Sequence, residues 1–218
     1  DIPEFTQEEL DAAVDEAHRQ GVKIAVHSGT QPSIQMCIDA GFDTIEHGTF
    51  LTEVQARQMA KKGIAWTPTI TAYTYLYEQT KQMIEAGVDM DNPIAARAVH
   101  DQAFFKPAFE AYRDNFKKLY DTGVTVLAGS DMVLYKAPPL PIHQELGYMV
   151  DYGITPMEAI RTATYNAASV LGIENETGSL KEGLAGDLLI VKGDVSKNIR
   201  ALDDVQEVYL AGEIVYTV

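Results

Sequence analysis

The stretch KIAVHSGTQPSIQMCIDAGFDTIEHG, residues 23–48, decides how this chain folds. It opens on an apolar run of strand length, Lys23-Ile24-Ala25-Val26-His27. A helical pattern follows from about Pro32 to Ala40 and stops at Gly41. A second strand, Asp43-Thr44-Ile45-Glu46-His47, closes on Gly48. Two strands joined by a helix read as a parallel pair with a helical crossover. Each strand of the pair delivers a histidine at its exit.

The same alternation extends in both directions. Upstream, Thr6 is placed to cap a helix, with Glu9 three residues on at capping-box spacing. Leu10, Val14 and Ala17 follow at helical spacing, and Gly21 ends the run. Downstream, a helix is expected from Thr52 to Lys62, then a strand Ile64-Ala65-Trp66-Thr67-Pro68-Thr69 with its proline at the exit end. A long, mostly helical stretch covers about Thr74 to Thr122, broken by Gly87 and Pro93. A fourth strand, Val124 to Ala128, leads into Gly129-Ser130-Asp131. Two helices are expected over Ile142–Tyr152 and Pro156–Leu171. This is an α/β pattern built on a parallel sheet. From Gly178 the sequence becomes Gly-punctuated and β-rich, with runs at Leu188–Val191, Val205–Leu210 and Gly212–Val218. Ala211-Gly212 sits where a hairpin turn belongs. The chain therefore divides into an α/β unit over residues 1–172 and a small β unit over 173–218.

Composition excludes several classes. The 218 residues are 46% hydrophobic and 22% charged, which is ordinary for a globular protein. No apolar run reaches the roughly 18–20 residues of a membrane span. Seventeen basic against thirty-two acidic residues give a formal charge of −15. Such a surface repels nucleic acid and anionic membranes alike. The single cysteine, Cys37, forbids an internal disulfide and favours a reducing, cytoplasmic setting, though it leaves the compartment open. The first residue is Asp and nothing before Thr6 resembles a signal peptide. The chain reads as the carboxy-terminal part of something longer, so any targeting signal lies outside it.

Three polar residues occupy equivalent places: His27 and His47 end the first two strands, and Asp131 follows the fourth. Their neighbours Ser28, Gly48 and Ser130 are small. Ligand sites of parallel α/β folds lie at the carboxyl ends of the strands, so such side chains can converge. Two imidazoles and a carboxylate suit Zn²⁺. The competing reading is three hydrogen-bonded structural residues, and spacing alone does not separate the two.

The runs Val26-His27-Ser28, Ile45-Glu46-His47-Gly48, Pro68-Thr69 and Ala128-Gly129-Ser130-Asp131 resemble, in this order, the amidohydrolase superfamily. More narrowly they are similar to its imidazolonepropionase-like and Xaa-Pro dipeptidase-like branch. Ile142-His143-Gln144-Glu145-Leu146, Gly153 to Ile160, Ala163 to Ala168 and Gly178 to Leu188 add to the match. The resemblance implies a metal-dependent hydrolase of amide bonds on a (β/α)8 TIM barrel with a small β-sandwich. This chain would hold barrel strands five to eight and the carboxy-terminal sandwich strands. His27 and His47 match the metal ligands of strands five and six. Asp131 matches the strand-eight Asp, which binds metal and carries the proton from attacking water to the leaving group. One or two divalent ions, Zn²⁺ foremost, are implied, with a dipeptide, N-acyl amino acid or cyclic amide as substrate. Tyr73 matches a tyrosine associated with the substrate carbonyl or carboxylate; its alternative is a packing stripe with Tyr75 and Tyr77. His143 is a candidate for binding a substrate carboxylate, or a capping histidine.

The departures matter equally. The family's HxH pair and its strand-four lysine, often carboxylated, have no counterpart among the 218 residues. Four βα units alone leave open sheet edges, and a full barrel needs about 250 residues. The expected partner is therefore the missing amino-terminal half of the barrel, and the isolated chain is expected not to hydrolyse. Assembly into a homo-oligomer through residues 74–122 is expected by analogy. The alternative function is a non-catalytic binding or assembly module that has lost its metal ligands. His18 and His100 are expected at the surface, Cys37 as a packed thiol, Asp89, Asp91 and Asp114 as a wet face, and Met83 and Met90 as packing.

Overall fold

Four parallel strands stand side by side in chain order in the computed structural model, which describes residues 3–87, 91–131 and 141–218. They are β1 (Ala25–Ser28), β2 (Thr44–His47), β3 (Ala65–Thr67) and β4 (Thr125–Val126). The register pairs Ser28 with His47 and Glu46 with Thr67, so the exits of the first three strands lie level. Helices α1 (Gln7–Arg19), α2 (Gln31–Ala40) and α3 (Glu53–Lys62) precede or connect the strands. Capping boxes start α1 at Thr6/Glu9 and α3 at Thr52/Gln55, and left-handed Gly41 and Gly63 end α2 and α3.

The helical stretch after β3 begins earlier than expected. Helix α4 (Ile70–Glu85) starts directly behind Thr69, and α5 (Pro93–Tyr120) follows with Pro107 inside it. The expected strand Val124–Ala128 keeps ladder pairing only at Thr125 and Val126. The expected helix Pro156–Leu171 is two helices, α7 (Pro156–Ala163) and α8 (Tyr165–Leu171), because Thr164 leaves the helical region at φ −124°, ψ −96°. Helix α6 (Ile142–Asp151) precedes them.

The core lies between the sheet and its helices. Ile34 and Ile38 of α2, Ile45 of β2, Met59 of α3, Trp66 of β3 and Phe116 of α5 have no exposed surface. Cys37 is buried in the same layer. Burying such side chains contributes about 1.5–3 kcal/mol each, the main force holding α2, α3 and α5 on the sheet.

The carboxy-terminal sheet is antiparallel: β5 (Leu188–Val191), β6 (Val205–Leu210) and β7 (Glu213–Thr217). The hairpin falls at Ala211-Gly212, both at positive φ. A short 3-10 helix, Ile199–Asp203, ties this unit to α6. Ile199 is buried with Leu146 and Met149 in one apolar cluster, and Arg200 bonds Asp151 at 2.6 Å. Every residue of β7 is exposed, including Ile214 and Val215.

Candidate active site

Three strand exits share an unusual backbone. Among the described residues, the non-glycine residues at positive φ are His47 (66°), Thr69 (53°), Asp131 (48°) and the hairpin's Ala211 (51°). A β-branched residue such as Thr69 rarely adopts this conformation, which costs on the order of 1–3 kcal/mol. His47 ends β2, Thr69 lies just past β3 and Asp131 lies past β4. The strain is thus gathered at one end of the sheet.

His47 is held from several sides. Its backbone carbonyl accepts the indole N–H of Trp66 at 2.7 Å and the hydroxyl of Tyr112 at 3.1 Å. Gly48 follows at φ 55°, and a Cβ there would sit 2.7 Å from Trp66 Nε1, so only glycine lets the indole reach that carbonyl. The ring is fixed by Thr69, whose Oγ1 lies 2.7 Å from His47 Nδ1. The same hydroxyl donates its single hydrogen to the Pro68 carbonyl at 2.7 Å. Thr69 Oγ1 must therefore accept from His47, which places the proton on Nδ1 and leaves Nε2 with a free lone pair.

The rings of His27 and His47 meet edge to face at 4.4 Å between centroids. The Tyr73 ring lies 5.6 Å from that of His47 and 5.4 Å from that of Tyr112. Burial and the adjacent His27 pull the His47 imidazole down to about 4, and the Asp131 charge offsets part of this. His47 is thus neutral at physiological pH. Burial raises the Tyr73 phenol above its ordinary value, with Thr49 pulling it back in part and the Asp131 charge adding to the rise. Tyr73 stays a donor. Asp131 is exposed, and its charge acts on both His47 and Tyr73. Among the described residues, no three His, Cys, Asp or Glu side chains stand close enough to hold a metal ion.

The family model for amidohydrolases matches residues 2–215, nearly the whole chain. The chain belongs to the amidohydrolase family. Ochratoxinase of Aspergillus niger is 29% identical over 205 residues, covering 92% of this chain and 39% of that protein. Imidazolonepropionase of Brevibacillus brevis is 36% identical over 112 residues, covering 50% of this chain and 24% of that one. The crystal structure of a Xaa-Pro dipeptidase with methionine bound in its active site superposes with a TM-score of 0.84 at 34% identity. That match covers 99% of this chain and 50% of the dipeptidase. This amidohydrolase chain therefore spans half or less of each of these three proteins.

The remaining candidates lie elsewhere. His143, near the start of α6, sits 3.2 Å from Asp203, in a cleft of about 330 Å³ lined also by Gln144, Tyr148 and Arg200. The Pro-rich segment before it, residues 132–140, lies outside the described residues, as do Asp89 and Met90. His18 is half-exposed and bonds Asp43 at 2.9 Å; His100 is exposed beside Asp101. Asp114 is exposed and pairs with Arg113. Met83, expected as packing, is instead 38% exposed on α4. Tyr77 stacks on Phe109 at 4.7 Å, so part of the tyrosine stripe does pack, while Tyr73 points to His47.

Sequence reasoning missed three residues that build this site. Thr69 was visible only as part of Pro68-Thr69, and Tyr112 gave no signal in a long helix. Glu145 is fully buried and accepts from Ile70 N (2.9 Å), Thr71 N (2.7 Å) and Thr71 Oγ1 (2.7 Å). Burial pushes its carboxyl up to about 7, against the downward pull of those three donors.

Proposed function

We propose that this chain is the carboxy-terminal part of a metal-dependent amidohydrolase of prolidase or cyclic-amidase type. Residues 1–172 supply barrel strands five to eight, and 173–218 supply part of the β-sandwich. The observation that carries this reading is the meeting of the His27 and His47 rings at 4.4 Å, with the Thr69 hydroxyl 2.7 Å from His47 Nδ1. Two imidazoles on adjacent strands fit a divalent ion of the Zn²⁺ class. They are an incomplete set, as a chain without the HxH pair and the lysine requires.

A bound ion supplies Lewis acidity at the scissile carbonyl and lowers the pKa of water toward neutrality. The residues of this chain do the rest. His27 and His47 would hold the ion, and Thr69 would keep the His47 ring in its liganding tautomer. The Asp131 carboxylate takes the proton of the attacking water and passes it to the leaving nitrogen. The Tyr73 hydroxyl donates to the carbonyl oxygen as negative charge develops there. Relatives named for ochratoxin, imidazolonepropionate and Xaa-Pro dipeptides support an amide substrate with a free carboxylate.

Metal analysis of the full-length protein, paired with hydrolysis assays on Xaa-Pro dipeptides, N-acyl amino acids and cyclic amides, tests the reading. Stoichiometric zinc and turnover are expected, both lost in His27→Asn and His47→Asn. The second reading, a non-catalytic assembly module, draws on the absence of a three-donor group among the described residues. A folded full-length protein with neither metal nor turnover would establish it instead.

A further inference from the structure

The N-terminus of α4 is capped from an unexpected direction. The first N–H groups of a helix lack intrahelical partners, and an N-cap threonine ordinarily accepts from one of them. Thr69 holds the N-cap position of α4 yet makes no such bond. Its hydroxyl is engaged by the Pro68 carbonyl and by His47 Nδ1. The orphaned donors are satisfied by a residue far along the chain. Glu145 Oε1 accepts from Ile70 N, and Oε2 accepts from both Thr71 N and Thr71 Oγ1. Glu145 has no exposed surface.

We propose that Glu145 is a positioning residue for the hydrolytic site: by capping α4 from α6, it releases the Thr69 hydroxyl to fix the His47 tautomer and holds Tyr73 against the His47 ring. The proposal deepens the hydrolase reading and rests on it for its consequence in turnover. Three features of the molecule support it. Thr69 makes no cap bond to its own helix, while its hydroxyl donates to the Pro68 carbonyl and accepts from His47 Nδ1. Its backbone sits at φ 53°, a conformation that needs its surroundings to hold it. Tyr73 lies within the first turns of the same helix, so a shift of the α4 N-terminus moves both contacts to His47 together. A carboxylate suits the task because both oxygens must accept. Glutamine would turn an NH₂ group toward a backbone N–H and lose at least one bond.

The test uses the full-length protein with ¹⁵N-labelled histidine, in metal-free form, together with steady-state kinetics of the metal-loaded enzyme. In the wild type, His47 is expected to give the pattern of the Nδ1–H tautomer. Glu145→Gln should shift it toward a mixture of tautomers. The same variant should lower kcat by about tenfold or more, with KM changed by about threefold or less, because placement rather than binding is disturbed. A folded E145Q protein with an unchanged His47 pattern overturns the proposal, whatever its stability. If E145Q does not fold, Thr71→Val removes only the hydroxyl donor; a smaller shift supports the proposal and an unmoved pattern overturns it. The spectrum needs no turnover. A shifted pattern in a protein that hydrolyses nothing therefore sinks the hydrolase reading while leaving the capping role in place.

Discussion

Trp66 donates its indole N–H to the backbone carbonyl of His47 at 2.7 Å, across neighbouring strands of the sheet. The bond joins a fully buried aromatic of the core to the residue on which the site turns. Trp66→Phe leaves that carbonyl with Tyr112 alone and should cost about 1–3 kcal/mol. Urea unfolding followed by circular dichroism measures this; an unmoved midpoint would count against the bond as a structural support.

Gly48→Ala brings a Cβ within 2.7 Å of the same indole nitrogen at a φ of 55°. A loss of about 1–3 kcal/mol is expected. The cost should shrink in a Trp66→Phe background, because the clashing atom is then gone. Additive losses in the double variant would show that strain at φ 55° alone is responsible.

If Asp131 carries the proton as proposed, Asp131→Asn in the full-length protein should lower kcat by about 10²–10⁴-fold. If Tyr73 donates to the oxyanion as proposed, Tyr73→Phe should lower kcat by about 10²-fold with the metal content retained. Turnover close to wild type in either variant would strip that residue of its assigned role.

The 218-residue chain alone, supplied with Zn²⁺, is expected to show no hydrolysis of Xaa-Pro dipeptides. The chain covers half of the matched dipeptidase, and among the described residues no three candidate donors stand together. Measurable turnover by this chain would require a site complete within residues 1–218.

Glu145 predicts a pH dependence of stability. Its carboxyl is raised from 4.5 to about 7 in the folded protein, so between those values the folded state holds a proton that the unfolded state has released. The stabilisation is fully present below about pH 4.5 and is lost as pH rises through about 7. The slope contributed is at most about 1.4 kcal/mol per pH unit. Subtracting the stability curve of Glu145→Gln from that of the wild type isolates it. A difference curve that rises or stays flat between pH 5 and 7 would contradict the assignment.

Much of this architecture could be read from the amino-acid order because its signals are local. Thr6/Glu9 and Thr52 mark helix starts, Gly41 and Gly63 mark helix ends, and apolar runs ending in histidine mark strands whose exits lie level in the sheet. What escaped has a different physical origin. Glu145 reaches Ile70 across 75 residues, a pairing that only tertiary packing creates. On paper it is one more acid on an amphipathic helix, and His143, two positions earlier, draws attention away from it. Thr69 looks like a strand residue, and nothing in its side chain foretells φ 53°. The break at Thr164 arises from a backbone turn inside a sequence with no glycine or proline to announce it.

Cys37 has its own practical consequence. It is the sole thiol, it is buried in α2, and burial raises its pKa, with Ser28 pulling the other way. A disulfide-exchange reagent reaches it when α2 lifts away from its packing. The rate of its labelling in native buffer is therefore a clock for that lifting, one that ticks without any engineered reporter and needs no knowledge of the substrate.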